Sequence, residues 1–582
     1  MIRYPIYTEQ TECRHCYKCV NRCPVKAICV QDGCTSILPK MCVFCGKCVM
    51  ICPAKAKRAR RDVEAVKDLL RSGKTVFASL APSFPAEFYG CSAGQLIGAL
   101  KRLGFHGVSE TALGADFVSA DVAAGLQAAA GGETQKLFLS SACPAAVLYI
   151  KRYAPAFVPY FNDRASPLLA HAALLRALYG KDTQVVFIGP CIAKKREADQ
   201  LKEIAAALTF EELKGWFAEA GAAPENMPEA ESADRRFEPR RAARGSFFPV
   251  DGGMLLSLKT YKGFSKTSNM TLSGLDTIAE TLNRDTFVYG RLESPLFLEL
   301  LACQGGCVNG PCITRDASAI NRRAQLLRYA ESAGAALDEK TAGIAIPLTG
   351  TLTAVELVKR RYSEAEIRSA LAVIGKYSPH DELNCSICGY ETCRAFARAL
   401  LGKRAEKTMC ATYMRDLAQR KANALIKAMP SGMVIVDKNC KVIECNRKFA
   451  SLLGSEIEEL YDIDPNLRGL SLHKTAGLGA YFQEAFAPGT QEGLDFQFRL
   501  EDKIFHLNIF VIEEGEILAG ALEDITKPQI RRDKTVERAK KIINKNVQTV
   551  QKIAFLLGES AAEIESILLS IIESHAAEGK KQ

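Results

Sequence analysis

Cysteine is the residue type through which this chain could do chemistry. It has 22 in 582 residues, well below the ~8–10% of a disulfide-stapled scaffold, and a chain this long needs no staples. Cys13, Cys16, Cys19 and Cys23 follow the spacing x2, x2, x3 and are followed by Pro24; Cys42, Cys45, Cys48, Cys52 and Pro53 repeat it. A second group is dispersed through three segments: Ser140-Ser141-Ala142-Cys143-Pro144, Gly189-Pro190-Cys191-Ile192-Ala193-Lys194, and Glu299-Leu300-Leu301-Ala302-Cys303-Gln304-Gly305-Gly306-Cys307. Cys385, Cys388, Cys393 and Cys410 make a third. In a reducing compartment, this many cysteines argue for metal ligation. Thiolates suit zinc or iron–sulfur clusters. Three of them, three residues apart, wrap a cube corner by corner, and structural zinc would not require four-plus-four with a proline after each. Cys29 and Cys34 fall outside the pattern and read as buried or loop thiols. Cys91, Cys312, Cys440 and Cys445 read as small hydrophobes.

The elements that must position these thiols divide the chain by composition. At about 150 residues per domain, the length excludes a single small fold. Residues 1–60 are cysteine- and turn-rich. Residues 62–375 alternate helical patterns with short apolar strands (75–80, 137–139, 184–188), as in an α/β domain. Within them, 221–245 is rich in Ala, Glu, Pro and Arg, without an apolar period, and reads as a surface insertion. Residues 376–424 hold the third cysteine group and a helix, with Met414, Leu417, Leu425 and Met429 expected on one face. Residues 425–526 change to an α+β pattern: strands at 433–437 and 441–444, a helix 447–453 capped by Asn446, and strands at 494–500, 503–512 and 516–524. Residues 527–582 read as a helical hairpin. Its seam, Ile543, Val547, Val550, Ala554 and Leu557, alternates spacings of four and three, as in a short coiled coil, and the next helix opens at Ser560 with Glu563.

The doubled motif is similar to that of two-cluster bacterial ferredoxins, in which the fourth cysteine ligates the other cluster. One [4Fe-4S] cluster should then take Cys13, Cys16, Cys19 and Cys52, and the other Cys42, Cys45, Cys48 and Cys23. The three dispersed segments, in order and separation, resemble the signature motifs of [FeFe]-hydrogenases, a likeness covering about residues 1–375. It implies an H-cluster: a [4Fe-4S] cube on Cys143, Cys191, Cys303 and Cys307, joined through Cys307 to a two-iron unit carrying CO, cyanide and a dithiolate. Lys194 matches the lysine that donates to a cyanide, and Ala81-Pro82-Ser83 resembles the segment contacting the other. The departures are specific. The proton-relay positions are Ala142 in place of a cysteine and Val122 and Gly125 in place of glutamates. Gly189 and Leu301 stand where catalytic members have methionine. Ala, Val and Gly cannot carry protons, and these departures look like the sensory (group C) branch of the family. The Cys385–Cys410 set resembles a small [4Fe-4S] module found beside corrinoid and electron-transfer proteins, which makes a third such cluster. Residues 430–526 resemble a PAS domain on Ser431-Gly432-Met433-Val434-Ile435-Val436-Asp437, Asn446-Arg447 and Leu522-Glu523-Asp524-Ile525-Thr526. His473 and His506 are weak haem candidates there.

The net charge of +10 looks like a nucleic-acid signal until it is located. Residues 1–62 hold twelve Lys/Arg against four Asp/Glu, so the surplus sits beside the cysteines, where it would offset negatively charged clusters. The run Lys55–Arg61 reads as a solvated linker face. With no signal-peptide pattern and no apolar run of ~18 residues, a cytoplasmic chain is expected, with neither membrane nor nucleic-acid contact. The whole reads as a multidomain α/β and α+β protein: ferredoxin module, H-cluster domain, small [4Fe-4S] module, PAS domain and helical tail. The expected function is a slow H2 or redox sensor. Its partners would be H2 or protons, ferredoxin or another redox carrier, a signalling kinase or phosphatase, and a second copy in a homodimer. A working ferredoxin-linked hydrogenase is one alternative; an electron carrier or scaffold without the two-iron unit is another.

Overall fold

The structure is a computed structural model that describes residues 4–130, 136–161, 165–228, 236–261, 264, 267–282, 294–333, 344–348, 352–355, 357, 360–487, 493–526, 541–550, 552–553 and 555. The chain forms two compact units, Met1–Glu406 and Lys407–Gln582.

In the first unit, apolar strands dictate two small parallel sheets. One has the order Gly107–Glu110, Val76–Leu80, Gln184–Gly189, Ala206–Thr209; the other runs Ser268–Ser273, Leu296–Leu301, Leu137–Leu139. Val76–Leu80 is buried at every residue, the continuous apolar run expected of a strand covered on both faces. The segments singled out by sequence leave the carboxyl ends of these strands: Ala81-Pro82-Ser83 after Leu80, Cys191 after Gly189, Cys143 after Leu139 and Cys303 after Leu301. In open parallel sheets that end is where a ligand crevice forms.

The cysteine-rich start closes on itself, with Ile6–Thr8 pairing antiparallel with Lys57–Ala59 beside a hairpin of Ile28–Gln31 and Cys34–Ile37. The basic run at 55–61 is therefore not a solvated linker. Lys57 is buried and donates to Thr8 Oγ1 at 2.5 Å and to the Thr35 carbonyl at 3.0 Å. Arg58 pairs with Glu12, and Arg60 with Asp62 and Asp199. Charge alone suggested solvent; strand pairing and ion partners gave half of the run structural posts. Residues 221–245 also differ from a surface insertion. Ala222, Met227, Phe237, Ala242 and Ala243 are buried, and buried Asp116 accepts from the Ala243 and Gly245 amides. The stretch lacks a period because it is irregular, not because it is outside; its residues 229–235 lie outside the described residues.

In the second unit, a five-stranded antiparallel sheet has the order Val442–Cys445, Gly432–Asp437, Ile517–Asp524, Lys503–Glu513, Leu494–Leu500. Strand alternation sends Val434, Leu507, Ile509 and Leu518 to a core with Phe449, Phe482 and Phe505. That core is full: a Cβ on Gly520 would lie 2.5 Å from Phe482 Cζ. The opposite face carries Met433, Ile435, Phe510 and Ala521, covered by Ile426, Met429, Val550 and Ile553. Within helix Ala411–Ala428 the buried residues are Ala422 and Ile426; of the expected face, Met429 just beyond the helix is buried, Met414 and Leu417 are half-buried and Leu425 is exposed. Ile543, Val547 and Val550 line a pocket with Met433 and Phe510. That part of the expected partner-seeking seam lies against the chain's own sheet. Ala554, Leu557, Ser560 and Glu563 lie outside the described residues.

Candidate metal centre

Cys143, Cys191, Cys303 and Cys307 line one cavity, closed by Ala145, Pro190, Leu301, Ala302, Gly310 and Pro311. Four thiols from segments up to 164 residues apart thus meet, and the walls between them are apolar. Burial pushes the Cys191 thiol up to about 12, with neighbouring Cys143 adding to the rise. Burial likewise raises Cys303 and Cys307, with the other thiols adding to it. Cys191, Cys303 and Cys307, whose thiols burial and neighbouring thiols push up, become thiolates only beside a compensating cation, which is what a polynuclear iron site supplies. Among the described residues, no three His, Cys, Asp or Glu side chains converge tightly enough to hold a single metal ion.

Lys194, Pro82 and Ser83 are not among the residues that line this cavity. Lys194 is nearly buried and lowers the thiol pKa of both Cys191 and Cys307, so its ammonium lies beside them. Its Nζ donates to Glu197 Oε2 at 2.6 Å, and Ser166 also donates to Glu197. Pro82 and Ser83 follow strand Val76–Leu80, and Ser83 Oγ is buried without a hydrogen-bond partner. An orphaned hydroxyl costs about 1–3 kcal/mol, so a polar ligand group belongs next to it. The donor set and this hydroxyl together fit the H-cluster that the sequence implies.

The positions that the resemblance would make a proton relay, Val122, Gly125 and Ala142, carry no side chain that titrates. Val122 is buried among Ala115, Val118, Leu126, Phe138 and Met254, and Ala142 packs on the same cluster; Gly125 is half-buried. A Cβ at Gly189 would lie 2.5 Å from Phe187 Cζ and 2.6 Å from Ala81 Cβ, so a methionine has no room there. Leu301 lines the cavity directly.

The cysteine-rich module reaches the same cavity through Cys45. Gly46 beside it has φ 76°, and a Cβ there would lie 2.5 Å from Pro311 Cβ, so glycine permits the contact. Burial pushes Cys45 up to about 11 and Cys42 up to about 12, and Cys23 adds to both. Cys48 is raised by burial and then by Cys45, Cys42 and Cys23. The structure therefore brings Cys23 to Cys42, Cys45 and Cys48. Cys19 is likewise raised by burial and, after the opposing effects of Lys57 and Thr35, by Cys16 and Cys13. Cys52 caps the end of helix Lys47–Ile51. Cys29 is buried and donates to the Lys403 carbonyl at 3.3 Å, and Cys34 stands 3.7 Å from the His15 ring.

Of the third set, Cys385 is exposed, and Cys388 and Cys393 are half-buried in the first unit. Asn384 Oδ1 accepts from the Cys393 amide at 2.8 Å, closing that loop. Cys410 caps helix Ala411–Ala428 in the second unit. Neither histidine named in the α+β segment faces its core: His473 is exposed, and His506 bonds Asp495 at 3.1 Å on the face opposite the core.

Three supporting residues escaped sequence reasoning. Arg152 Nη1 donates to the Cys42 carbonyl at 2.5 Å and to Pro39 O at 3.2 Å, fixing the cysteine-rich module to the α/β domain. Buried Glu299 accepts from the Met254 amide at 3.0 Å and from Thr271 Oγ1 at 2.8 Å. It thereby holds the turn before residue 254, and Gly306 packs on the Pro249 carbonyl next to that turn. Burial pushes the Glu299 carboxyl up to about 7. Glu197, three residues beyond the second motif's Lys194, fixes that lysine. No spacing rule marks Arg152 or Glu299, because their backbone partners are distant in sequence; Glu197 carried only the i,i+3 pairing with Lys194 as a signal.

Comparison with known proteins places these features by domain. Residues 74–311 match the family described as iron only hydrogenase large subunit, C-terminal domain. Residues 35–58 match a 4Fe-4S binding domain, 381–412 an Fe-S cluster family, and 420–483 a PAS domain. The chain is a mixed α/β multidomain protein with an [FeFe]-hydrogenase-like domain, a ferredoxin-type module and a PAS domain. Among relatives, iron hydrogenase 1 of Clostridium pasteurianum is 25% identical over 301 residues, 43% of this chain and 52% of that protein. The periplasmic [Fe] hydrogenase large subunit of Nitratidesulfovibrio vulgaris is 27% identical over 361 residues, 52% of this chain and 85% of the relative. The match thus spans about half the length of the clostridial protein. Among solved structures, a variant of an [FeFe]-hydrogenase from Chlamydomonas reinhardtii aligns with 51% of this chain and all of its own, at 19% identity and TM-score 0.42. No helix among the described residues is long and apolar enough to cross a membrane.

Proposed function

We propose that this chain is an iron–sulfur protein of [FeFe]-hydrogenase type that meets H2 or the redox poise slowly and passes its state to a signalling partner. The observation that carries this reading is a pair: four cysteines share one cavity, while the relay positions Ala142, Val122 and Gly125 are apolar or bare. Cys143, Cys191, Cys303 and Cys307 would hold the H-cluster, with Cys307 the bridge and Lys194, Pro82 and Ser83 in contact with its cyanides. When bound, that group supplies the exchange between H2 and two protons plus two electrons. The protein's own residues exclude water with Leu301, Ala302 and Pro190, and hold the Lys194 ammonium in place through Glu197. With no titratable side chain at 122, 125 or 142, protons lack a fast exit; each tenfold loss of rate is about 1.36 kcal/mol of barrier.

The two ferredoxin-type cysteine sets and the Cys385–Cys410 set would carry three [4Fe-4S] clusters. The PAS domain would relay to a kinase or phosphatase. Because its core is filled by aromatic side chains, its sheet face rather than an internal ligand supports the relay. The test is steady-state H2 evolution by matured protein with reduced methyl viologen, beside its redox response to H2 against argon. The expected result is a clear response with turnover about 100-fold or more below a catalytic relative, roughly 2.7 kcal/mol of barrier. Turnover matching that relative would overturn the sensor reading in favour of a working enzyme.

A further inference from the structure

Within the first unit, the segment carrying Cys385, Cys388 and Cys393 is bonded to the cysteine-rich start. The Val30 amide donates to the Arg404 carbonyl at 3.0 Å, and Cys29 Sγ and Gln31 Nε2 both donate to the Lys403 carbonyl, at 3.3 and 3.4 Å. The Gly33 amide donates to the Glu406 carboxylate at 3.2 Å. These bonds fix residues 403–406 along the hairpin that begins at Ile28. Nearer the thiols, Gly389 has φ 82°, and a Cβ there would lie 3.0 Å from the Asn21 nitrogen and 3.1 Å from Val20 Cγ1. A glycine beside Cys388 therefore lets the two backbones meet.

Two polar groups stand in this seam. Lys26 is half-buried, and its Nζ donates to the carbonyl of the same Asn21 at 3.0 Å. Burial pulls its pKa down, and Cys23, Glu391, Asp276 and Cys388 oppose the fall. The ammonium is thus within electrostatic reach of a cysteine from each set. Tyr390 is buried, and its hydroxyl has no hydrogen-bond partner. Burial pushes it up to about 12; Arg404 opposes the rise, and Cys388, Cys29 and Cys23 add to it. Cys29 is committed to the Lys403 carbonyl, which leaves Cys388 and Cys23. An orphaned buried hydroxyl is costly, so a cluster sulfur is the acceptor this one lacks.

We propose that Lys26 and Tyr390 form a polar wall shared by two neighbouring [4Fe-4S] clusters, the inner one completed by Cys23 and the one on the third cysteine set. The Lys26 ammonium favours the reduced, more negative state of both, and the Tyr390 hydroxyl donates to a sulfur of the Cys388 cluster. Charge and hydrogen bonds at the sulfurs set the potentials of such clusters. The inference rests on the three-cubane reading given above. It makes the third cluster a branch off the inner one, whose Cys45 lines the four-cysteine cavity, rather than an extension of the outer Cys13–Cys19 set.

The test is a redox titration of full-length, cluster-loaded protein followed by electron paramagnetic resonance. Signals are assigned through Cys385→Ala, which should lose the third cluster. Lys26→Gln should make both clusters harder to reduce, by about tenfold in the equilibrium, or about 59 mV for a one-electron couple, and Lys26→Arg should restore them. Tyr390→Phe should move only the third cluster, in the same direction, and Tyr377→Phe at an exposed tyrosine should move neither. In wild type, the two reduced clusters should broaden each other's signals, and Cys385→Ala should remove the broadening. Lys26→Gln that moves one potential or none would overturn the proposal. So would an unmoved third cluster in Tyr390→Phe, or wild-type signals free of broadening. Equal loss of iron from Lys26→Gln and Lys26→Arg would overturn it too, since the lysine would then serve only the fold. Wild-type protein without a third cubane would instead overturn the reading beneath it.

Discussion

At Gly189 and Val122 the surroundings make the side chains that the resemblance would place there, a methionine and a glutamate, sterically or dielectrically expensive. Gly189→Met would press a side chain into Phe187 and Ala81 and should cost about 1–3 kcal/mol. Val122→Glu would bury a charge without a partner among apolar neighbours and should cost about 3–5 kcal/mol. Thermal unfolding checks both; midpoints equal to wild type would show that these positions retain room for the missing groups. His171 gives a pH signature. It is fully buried, bonded on both ring nitrogens to Ser79 at 2.8 Å and Ser109 at 2.7 Å, and pulled down to about 3 by burial. Because its folded pKa lies below the unfolded value of ~6.5, its neutral form stabilises the fold fully above ~6.5. That stability is lost as pH falls toward 3, by about 1.4 kcal/mol per unit. Unfolding midpoints followed from about pH 7.5 to about 4.5 should fall in wild type and flatten in His171→Gln; parallel slopes would contradict this.

Two side chains hold elements together. Removing Arg152 leaves the Cys42 and Pro39 carbonyls without their donor. Arg152→Ala should cost about 1.5–3 kcal/mol and speed loss of iron from the cysteine-rich module to a chelator; an unchanged rate would show that the module is anchored elsewhere. Asn446 Oδ1 accepts from the Met433 and Phe449 amides, both at 2.9 Å, and its Nδ2 donates to the Ile426 and Ser431 carbonyls. Asn446→Ala should therefore cost about 2–3 kcal/mol and raise hydrogen exchange in strand Gly432–Asp437. Exchange confined to the helix start would mean that it acts only as a cap. Elements of this kind were legible where periodicity was strong: the strands 494–500 and 503–512 and the Asn446 cap stand as read, give or take a residue. Residues 55–61 and 221–245 were misread, because burial of a lysine or an irregular segment depends on partners that local composition does not reveal. The site was legible for the same reason as the strands. Ligand spacing and strand ends are local, whereas Arg152 and Glu299 act through distant contacts.

For the molecule as a whole, a surface-facing cysteine set, an inner set at Cys45 and a four-cysteine cavity share one unit, and a PAS domain lies in the other. On the proposed function, Cys143, Cys191, Cys303 and Cys307 hold an organometallic six-iron centre, for about eighteen iron atoms in all with three cubanes. Infrared spectroscopy of anaerobically matured protein tests this most directly. Wild type should show the stretches of metal-bound CO and cyanide, and Cys307→Ala should lose them while retaining the visible absorbance of the other clusters. A wild-type spectrum without such bands, at full cubane loading, would contradict the claim and leave an electron carrier in its place.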